Sequence, residues 1–561
     1  MKQYKNKIII GLLSLLLLVY LWPILTITWP QMWANNGHYI DSWPDSMSNF
    51  LFVDQFIKHG SFTYDEPLNQ SLNNIVHPRS VNIHGDQMVP MGFLGLLFVY
   101  GPLGRILTTY GVLILTGLLA VLAVYCFYLI VSQLFNQRIG CLAAILLATL
   151  PSWLYYAQLP MLPNVLFLSL IILAVYFSLQ ITSRGPTSAW LSGLLCGLAI
   201  VSRPIEFVWL GALIVIPAMF YWKQVKWPQI LRFVLALLLP GSLLLLANQL
   251  LYGNPFYLGY FNLALPDPST IWQRLPTAFL IDAAQGLLAY IKLIVAPFGL
   301  SWTAIGQSFN AYFIKLLWPY FALFTAGTLW FVIKWLTGRK PFVAWPKQQF
   351  VYWLVTILVG LWLVVYYGSW QFDDKLMLKL NTIGISYVRY WLPLSVLLLP
   401  GIAYFLDSLA SLFKSHWQRY VLLTALLLPL IFFSVRLTYF AKGDGLLDQR
   451  AVINGYYQQF AKIKSLVEPQ AVIINDREDK ILFPYYSVIM FNGDYSIFEP
   501  LKNIGADRPL YYLSRVNPDM YQQIKLRLQN LGWQIEPVQV VDKDYTLYRL
   551  QLIKKIDSVK K

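Results

Sequence analysis

Just after its first long apolar run, at residues 31–90, the chain reads QMWANNGHYIDSWPDSMSNFLFVDQFIKHGSFTYDEPLNQSLNNIVHPRSVNIHGDQMVP. The segment holds four of the five histidines, His38, His59, His77 and His84, with the acids Asp41, Asp45, Asp54, Asp65, Glu66 and Asp86. Almost everything around it is hydrocarbon. A polar loop set between apolar runs is where water-dependent chemistry takes place in such a chain, the remainder serving as its scaffold.

Of the 561 residues, 57% are hydrophobic and only 12% charged, with a mean hydropathy of +0.55. Soluble domains carry about a quarter charged residues. The composition therefore describes a polytopic α-helical membrane protein. Its net charge of +16 is dispersed between the apolar runs and not gathered into a stripe, so it sets topology and implies no nucleic-acid partner. Cys126, Cys141 and Cys196 all lie inside apolar runs, which predicts packing roles, with neither a disulfide framework nor a thiolate site. Met1 to Lys7 carries three lysines ahead of the apolar run Ile8 to Trp29. That run is too long for a signal-peptide core and lacks a small-x-small cleavage site, so it is expected to be an uncleaved first span with a cytoplasmic start.

A span needs about 20 apolar residues, and cytoplasmic loops collect Lys and Arg. Together these predict about eleven crossings, over 8–29, 111–135, 139–155, 163–181, 190–201, 205–222, 233–251, 313–336, 350–367, 390–409 and 420–440. The odd number places 441–561 on the outer face. The reading divides the chain into a membrane domain, 1–440, with outer loops at 31–90 and 252–312, and a small extracytoplasmic α/β domain, 441–561. Strands are expected at 471–475, 508–515, 533–541 and 545–552, and a helix from Pro518 to Leu531. The stretch GLLAYIKLIVAPFGLSW (286–302) reads as interfacial or re-entrant.

Asp45 precedes MSNFLFVDQFIKHG, whose Met47, Phe50, Leu51, Val53 and Phe56 recur at helical spacing. It thus opens a short amphipathic helix on the outer surface. Position alone favours a helix cap; the functional alternative is a general base acting on an acceptor hydroxyl.

The order of features resembles the GT-C superfamily of membrane glycosyltransferases, the protein O-mannosyltransferase and aminoarabinose transferase relatives of glycosyltransferase family 39. A first span, an acidic loop with a surface helix and GSFTYDEPLN begin the resemblance. NQLLYGNPFYLGY (248–260), LLAYIKLIVAPFGLSW and SYVRYWLPLSVLLLPGIAY (386–404) continue it over most of residues 1–440. In that family an Asp-Glu pair opens the surface helix and its Asp is the base, so the resemblance implies Asp45 as the base. It also implies a polyprenyl-phosphate-linked sugar as donor and Arg389 as a ligand of the donor phosphate. Two positions depart from the pattern. Ser46 stands where relatives carry Glu, and Asn164 where they often carry a second acid. A divalent metal held by those acids is therefore not favoured, and no other cofactor is implied.

Arg79 and Arg203 are the further candidates for the phosphate, because a guanidinium binds phosphate oxygens in pairs. Arg203 lies three residues from Glu206 between two short spans, so a structural ion pair is the competing role. In HPRSVNIHGD, His77, His84 and Asp86 are candidate substrate contacts, with loop hydrogen bonding favoured over metal ligation. Trp43, Tyr257 and Tyr260 are candidates for stacking on a sugar, most other aromatics being interfacial anchors. The implied partners are the lipid-linked sugar, membrane lipids and a glycan, lipid or protein acceptor, at the plasma or inner membrane. Two alternatives stand beside the transferase: a flippase for lipid-linked saccharide, and a catalytically silent binding or assembly protein on the same scaffold.

Overall fold

A computed structural model describes residues 2–257, 259, 299–337, 346–370, 382–384, 386–505, 507–515 and 518–553. Seven helical stretches among them are long and apolar enough to cross a membrane: Lys7–Ala34, Gly95–Leu134, Pro204–Gln224, Trp227–Tyr252, Lys347–Gly368, Tyr387–Ala410 and His416–Phe440. Shorter apolar helices, Gln137–Thr149, Pro163–Leu179 and Pro186–Ser202, pack among them. The chain is an integral membrane protein. Its first span and Trp227–Tyr252 leave most of their surface outward, whereas 72% of the best window of Tyr387–Ala410 is buried. That last stretch is the centre of the bundle, and it carries Arg389.

The helices follow the apolar runs, with two differences that bear on the site. The first span continues past α1 (Lys2–Pro23), through a π-turn at Ile24–Thr28, into α2 (Trp29–Ala34). The surface helix α3 (Pro44–His59) follows, ended by Gly60 in the left-handed region at φ +77°. Helix α4 (Gly95–Gly111) then precedes the second expected crossing, and α5 (Leu115–Leu134) completes it. The apolar run is thus longer than one crossing, and a bend at Thr108 (φ 69°) separates the part that lies along α3. Close packing there depends on missing side chains. A Cβ on Gly104 would stand 2.5 Å from Ile57 Cδ1, and one on Gly95 would stand 2.3 Å from the backbone of Ser202. The second difference is a break in the third crossing, which divides at Leu150 into Gln137–Thr149 and Pro151–Tyr156 because Pro151 begins a new helix.

Between α3 and α4 the chain makes a three-stranded antiparallel sheet in the order β1 (Tyr64–Asp65), β3 (Gln87–Pro90), β2 (Val81–His84). The C-terminal domain opens with the helix Leu446–Leu466, which the sequence reading lacked. Its five-stranded sheet runs β5 (Ser487–Met490), β4 (Val472–Asn475), β6 (Leu510–Ser514), β8 (Thr546–Leu552), β7 (Trp533–Val540). The first three strands are parallel, and β8 joins antiparallel to both β6 and β7. Four of the five strands lie where expected; β5, only four residues long, carries too little pattern to be read. The helix Pro518–Asn530 is also in place.

This domain does not hang free. Leu68, Leu72 and Val76 of the 35–90 segment share one core with Val472, Ile474, Ile489 and Trp533 of the sheet. Val76 also bridges Ile489 on the outermost strand, so the segment covers an edge that would otherwise expose unpaired backbone. On the other side of the sheet, Ile473 and Val488 belong to the core of the helical bundle. Cys126 and Cys196 are buried as expected, but Cys141 is exposed, on the outward side of its helix.

Candidate active site

Trp43 is the cap of α3, in extended conformation, and Pro44 fills the first helical position, where a missing N–H costs nothing. Asp45 is therefore not the cap; it stands in the first turn, near the positive end of the helix dipole. Its two oxygens look in different directions. Oδ1 accepts a hydrogen bond from Ser80 Oγ at 2.8 Å, and Oδ2 meets the Arg389 guanidinium at 3.3 Å, across 344 residues of sequence.

Arg389 lies on the 3-10 turn Ser386–Trp391 that leads into the central helix Leu392–Ala410. Its guanidinium carbon is 5.2 Å from the ring centre of Trp43 and 5.3 Å from that of Tyr390. Arg203 approaches the same Tyr390 ring at 4.9 Å. Two guanidiniums around one ring repel each other, and each has an acid to offset this: Asp45 for Arg389, Glu206 for Arg203. The second pair is sealed. Arg203 Nε donates to Glu206 Oε1 at 2.9 Å, Arg203 also donates to the Tyr367 hydroxyl at 3.2 Å, and Trp209 donates to Glu206 Oε2 at 2.5 Å. The first pair is a single contact at the edge of a partly open acid. A phosphate ester brought to Arg389 would find a planar cation lined by the rings of Trp43 and Tyr390.

Of the two positions that depart from the pattern, Ser46 follows Asp45 directly, and Asn164 follows a turn that packs on the same helix. Ser46 is fully buried; its hydroxyl lies 2.9 Å from that of Tyr39 and donates to the Pro160 carbonyl at 3.1 Å. Tyr39 in turn donates to Asp41 Oδ2 at 3.0 Å, and burial, reinforced by Asp41, pushes its phenol well above the usual range so that it remains a donor. Asn49 donates to the Met161 carbonyl at 2.8 Å, so the 160–161 turn that leads to Asn164 lies against α3. Asn164 itself is buried, and its Oδ1 has no hydrogen-bond partner among the described residues.

The remaining candidates are placed as follows. The Arg79 guanidinium is taken up by Asp479, with Nε donating at 2.9 Å, and by the Arg477 carbonyl at 2.5 Å, so it faces the C-terminal domain and does not join Arg203 and Arg389. His77 Nδ1 lies 3.0 Å from the Pro78 carbonyl. His84 ends β2 opposite Gln87, and Asp86 is in the exposed hairpin turn, so the spacing of HPRSVNIHGD is that of a hairpin and not of a ligand set. Tyr257 stacks on Tyr252 at 4.0 Å and receives a hydrogen bond from Asn82. Tyr260 and most of the 286–302 segment lie outside the described residues. Among the described residues no three His, Cys, Asp or Glu side chains come together as a metal set, and both Asp45 oxygens already face donors; no step is assigned to a metal.

Sequence reasoning missed Ser80, Tyr390 and the Tyr39–Asp41 pair. For Tyr390 a signal existed: it follows Arg389 directly. Ser80 had none, since nothing in a polar loop says which hydroxyl turns back onto a helix.

A family model described as dolichyl-phosphate-mannose-protein mannosyltransferase matches residues 105–251. No curated protein sequence matches the chain. Among solved structures, ArnT from Cupriavidus metallidurans in the apo state is similar over 98% of both chains, at 11% identity and a TM-score of 0.51. The same protein bound to undecaprenyl phosphate gives 98% of both chains, 11% and 0.50. The archaeal oligosaccharyltransferase AglB from Archaeoglobus fulgidus, in complex with an inhibitory peptide and a dolichol-phosphate, covers 91% of this chain and 69% of its own at 12% identity and 0.45.

Proposed function

We propose that this chain, a GT-C superfamily membrane glycosyltransferase by its fold and its family match, moves a sugar from a polyprenyl-phosphate donor to a hydroxyl acceptor, with Asp45 as the general base. What carries the reading is the meeting of Asp45 and Arg389 at 3.3 Å beneath Trp43. It joins an acid to a phosphate-binding cation at the polar end of the bundle.

The donor phosphate takes Arg389 from Asp45, and Arg203 adds positive potential from beyond Tyr390. Asp45, still oriented by Ser80, accepts the proton of the acceptor hydroxyl. The acceptor oxygen forms its bond to the anomeric carbon as the bond to the lipid phosphate oxygen breaks, the electron pair leaving on the phosphate. The Arg389 guanidinium meets the charge that develops there. One displacement inverts the anomeric carbon. In this reading residues 1–440 form the transfer domain, with the N-terminus cytoplasmic and 441–561 extracytoplasmic. Undecaprenyl phosphate, to which the similar ArnT is bound, and dolichyl phosphate, named in the description of the matched family model, are the first lipid carriers to try.

The test is sugar transfer by purified protein from undecaprenyl- and dolichyl-phosphate-linked sugars to a panel of lipid, glycan and peptide acceptors, wild type beside Asp45→Asn. Transfer by the wild type and none by the variant is expected. Equal transfer by both removes Asp45 as the base; donor binding with no transfer to any acceptor favours the silent binding protein.

A further inference from the structure

We propose that the C-terminal domain is a working part of the site: its turn at Asp479–Ile481 positions Asp45, acting through Arg79 and the Ser80 hydroxyl. The inference deepens the reading of Asp45 as the base and rests on it for its catalytic meaning.

Three consecutive residues of that turn hold the chain on both sides of Asp45. Asp479, almost completely buried, accepts from the Arg79 backbone N–H at 2.7 Å through Oδ2, and from the Arg79 side chain at 2.8 and 2.9 Å through Oδ1. Lys480 Nζ donates to the Ser42 carbonyl at 3.2 Å and to the Tyr456 hydroxyl at 3.0 Å. The Ile481 carbonyl lies 2.8 Å from His38 Nε2, which donates to it in the neutral ring. Thus 38–42, the approach to α3, and 79–80, the segment facing it, are both fastened to one turn of another domain.

Residue 80 shows what the fastening achieves. Ser80 is in the left-handed region at φ +60°, a conformation that a residue with a side chain adopts only when its surroundings impose it. Two contacts impose it here: the Arg79 clasp on one side, and Ser48 Oγ donating to the Ser80 carbonyl at 2.6 Å from α3 on the other. The result is that neighbouring residues reach in different directions, Arg79 to the C-terminal domain and Ser80 Oγ to Asp45 Oδ1. A hydroxyl that donates to a carboxylate oxygen fixes the rotation of the carboxylate. The charged group facing Asp45 from the central helix is Arg389, with Arg203 behind Tyr390; Arg79 is turned to Asp479. Ser80 is therefore a positioning residue, and Arg79–Asp479 is what holds it in place.

The experiment uses the full-length protein in lipid nanodiscs, labelled with ¹³C-aspartate. Infrared spectra of the carboxylate stretch at one fixed pH, with the Asp45→Asn variant subtracted, isolate the Asp45 band and need no substrate. Ser80→Gly keeps the left-handed backbone without strain and removes the hydroxyl. Loss of its hydrogen bond is expected to shift the Asp45 band. Asp479→Asn, which leaves Ser80 in the chain but loosens its anchor, is expected to shift the band in the same direction by less. In the transfer assay both variants should lower kcat, Ser80→Gly by about tenfold, the worth of one hydrogen bond to a charged group, with the donor KM unchanged. A Ser80→Gly band identical to the wild type overturns the proposal, as does an Asp479→Asn variant that only lowers the yield of folded protein. If the band shifts but Asp45→Asn still transfers sugar, the coupling stands and the reading of Asp45 as the base falls.

Discussion

Two arginine–aspartate pairs join distant parts of the chain within a few residues of each other, and they are built differently. Arg79–Asp479 is made by a side-chain ion pair and a backbone N–H on an acid whose side chain is 1% exposed. Arg389–Asp45 is one contact at 3.3 Å on an acid 24% exposed. The longer, single contact on a partly open acid contributes less than a closed pair on a buried acid, where removing one partner costs about 3–5 kcal/mol. The closed pair holds domains together. The open one can be exchanged for a substrate without unfolding anything, and that is what a base beside a phosphate site requires.

The largest effect that would break this comparison belongs to the open pair. Asp45→Asn should lower kcat by roughly 10²–10⁴-fold, the range for loss of a general base, while the thermal unfolding midpoint stays close to the wild type. A variant that is active but unstable would reverse the assignment of the two pairs. Next comes Arg203–Glu206, which resembles the clasp in its burial although it lies next to the site. Glu206→Gln leaves the Arg203 charge without its counter-ion and should cost about 3–5 kcal/mol of stability, read as a lower midpoint in thermal unfolding. An unchanged midpoint would mean that the surrounding rings compensate Arg203, and that its guanidinium is as exchangeable as that of Arg389.

A smaller effect separates the two arginines by binding. Arg389→Lys keeps a positive charge but loses the planar fork and its stacking against Trp43 and Tyr390. Its affinity for undecaprenyl phosphate in a nanodisc titration should fall about tenfold. The same change at Arg79 should leave that affinity unaltered. If Arg79→Lys weakens the lipid as much, the clasp is also a phosphate ligand and the contrast between the pairs fails.

How much of this was readable beforehand follows from range. Hydropathy is a local quantity, so the apolar runs, the C-terminal change of composition and four short strands were legible, and so was α3, whose apolar spacing directly precedes His59 and Gly60. Asp45 was legible as a residue but ambiguous as a role, because a cap and a base occupy the same position; Pro44 moves the cap back to Trp43 and so removes the first of the two. Neither Arg79, in HPRSVN, nor Arg389, in SYVRYW, carries a local sign of the acid it pairs with. Only the fold shows that one meets Asp479, 400 residues away, and the other Asp45. Ser46 shows the same limit in reverse. Read as a missing acid it suggests a weakened site, yet its hydroxyl is fully enclosed between Tyr39 and the Pro160 carbonyl and has a packing role of its own.

The smallest expected effect tests the clasp through acid rather than mutation. His38 is buried against Phe460, ring centres 4.5 Å apart, and its Nε2 faces the Ile481 carbonyl. Burial pushes its pKa down to about 4, whereas in the unfolded chain it titrates near 6.5. Between those values the unfolded chain binds the extra proton, so stability is complete above about pH 6.5 and is lost as pH falls towards 4, by at most about 3 kcal/mol. Glu66, whose carboxyl is raised by burial beside Ser487, works in the other direction, its contribution being lost as pH rises through its folded value. A single unfolding curve would mix the two, so the comparison needed is wild type against His38→Gln, at several pH values from 4 to 8. The variant should lose the acid-side slope that belongs to position 38 and keep the opposing one. Because His38 fastens the same turn as Arg79, the wild type should also become sensitive to proteolysis between residues 441 and 471 within that acid window. Equal slopes in the two proteins would mean that His38 is open to solvent, and that the turn at 479–481 grips the approach to α3 less closely than the clasp requires.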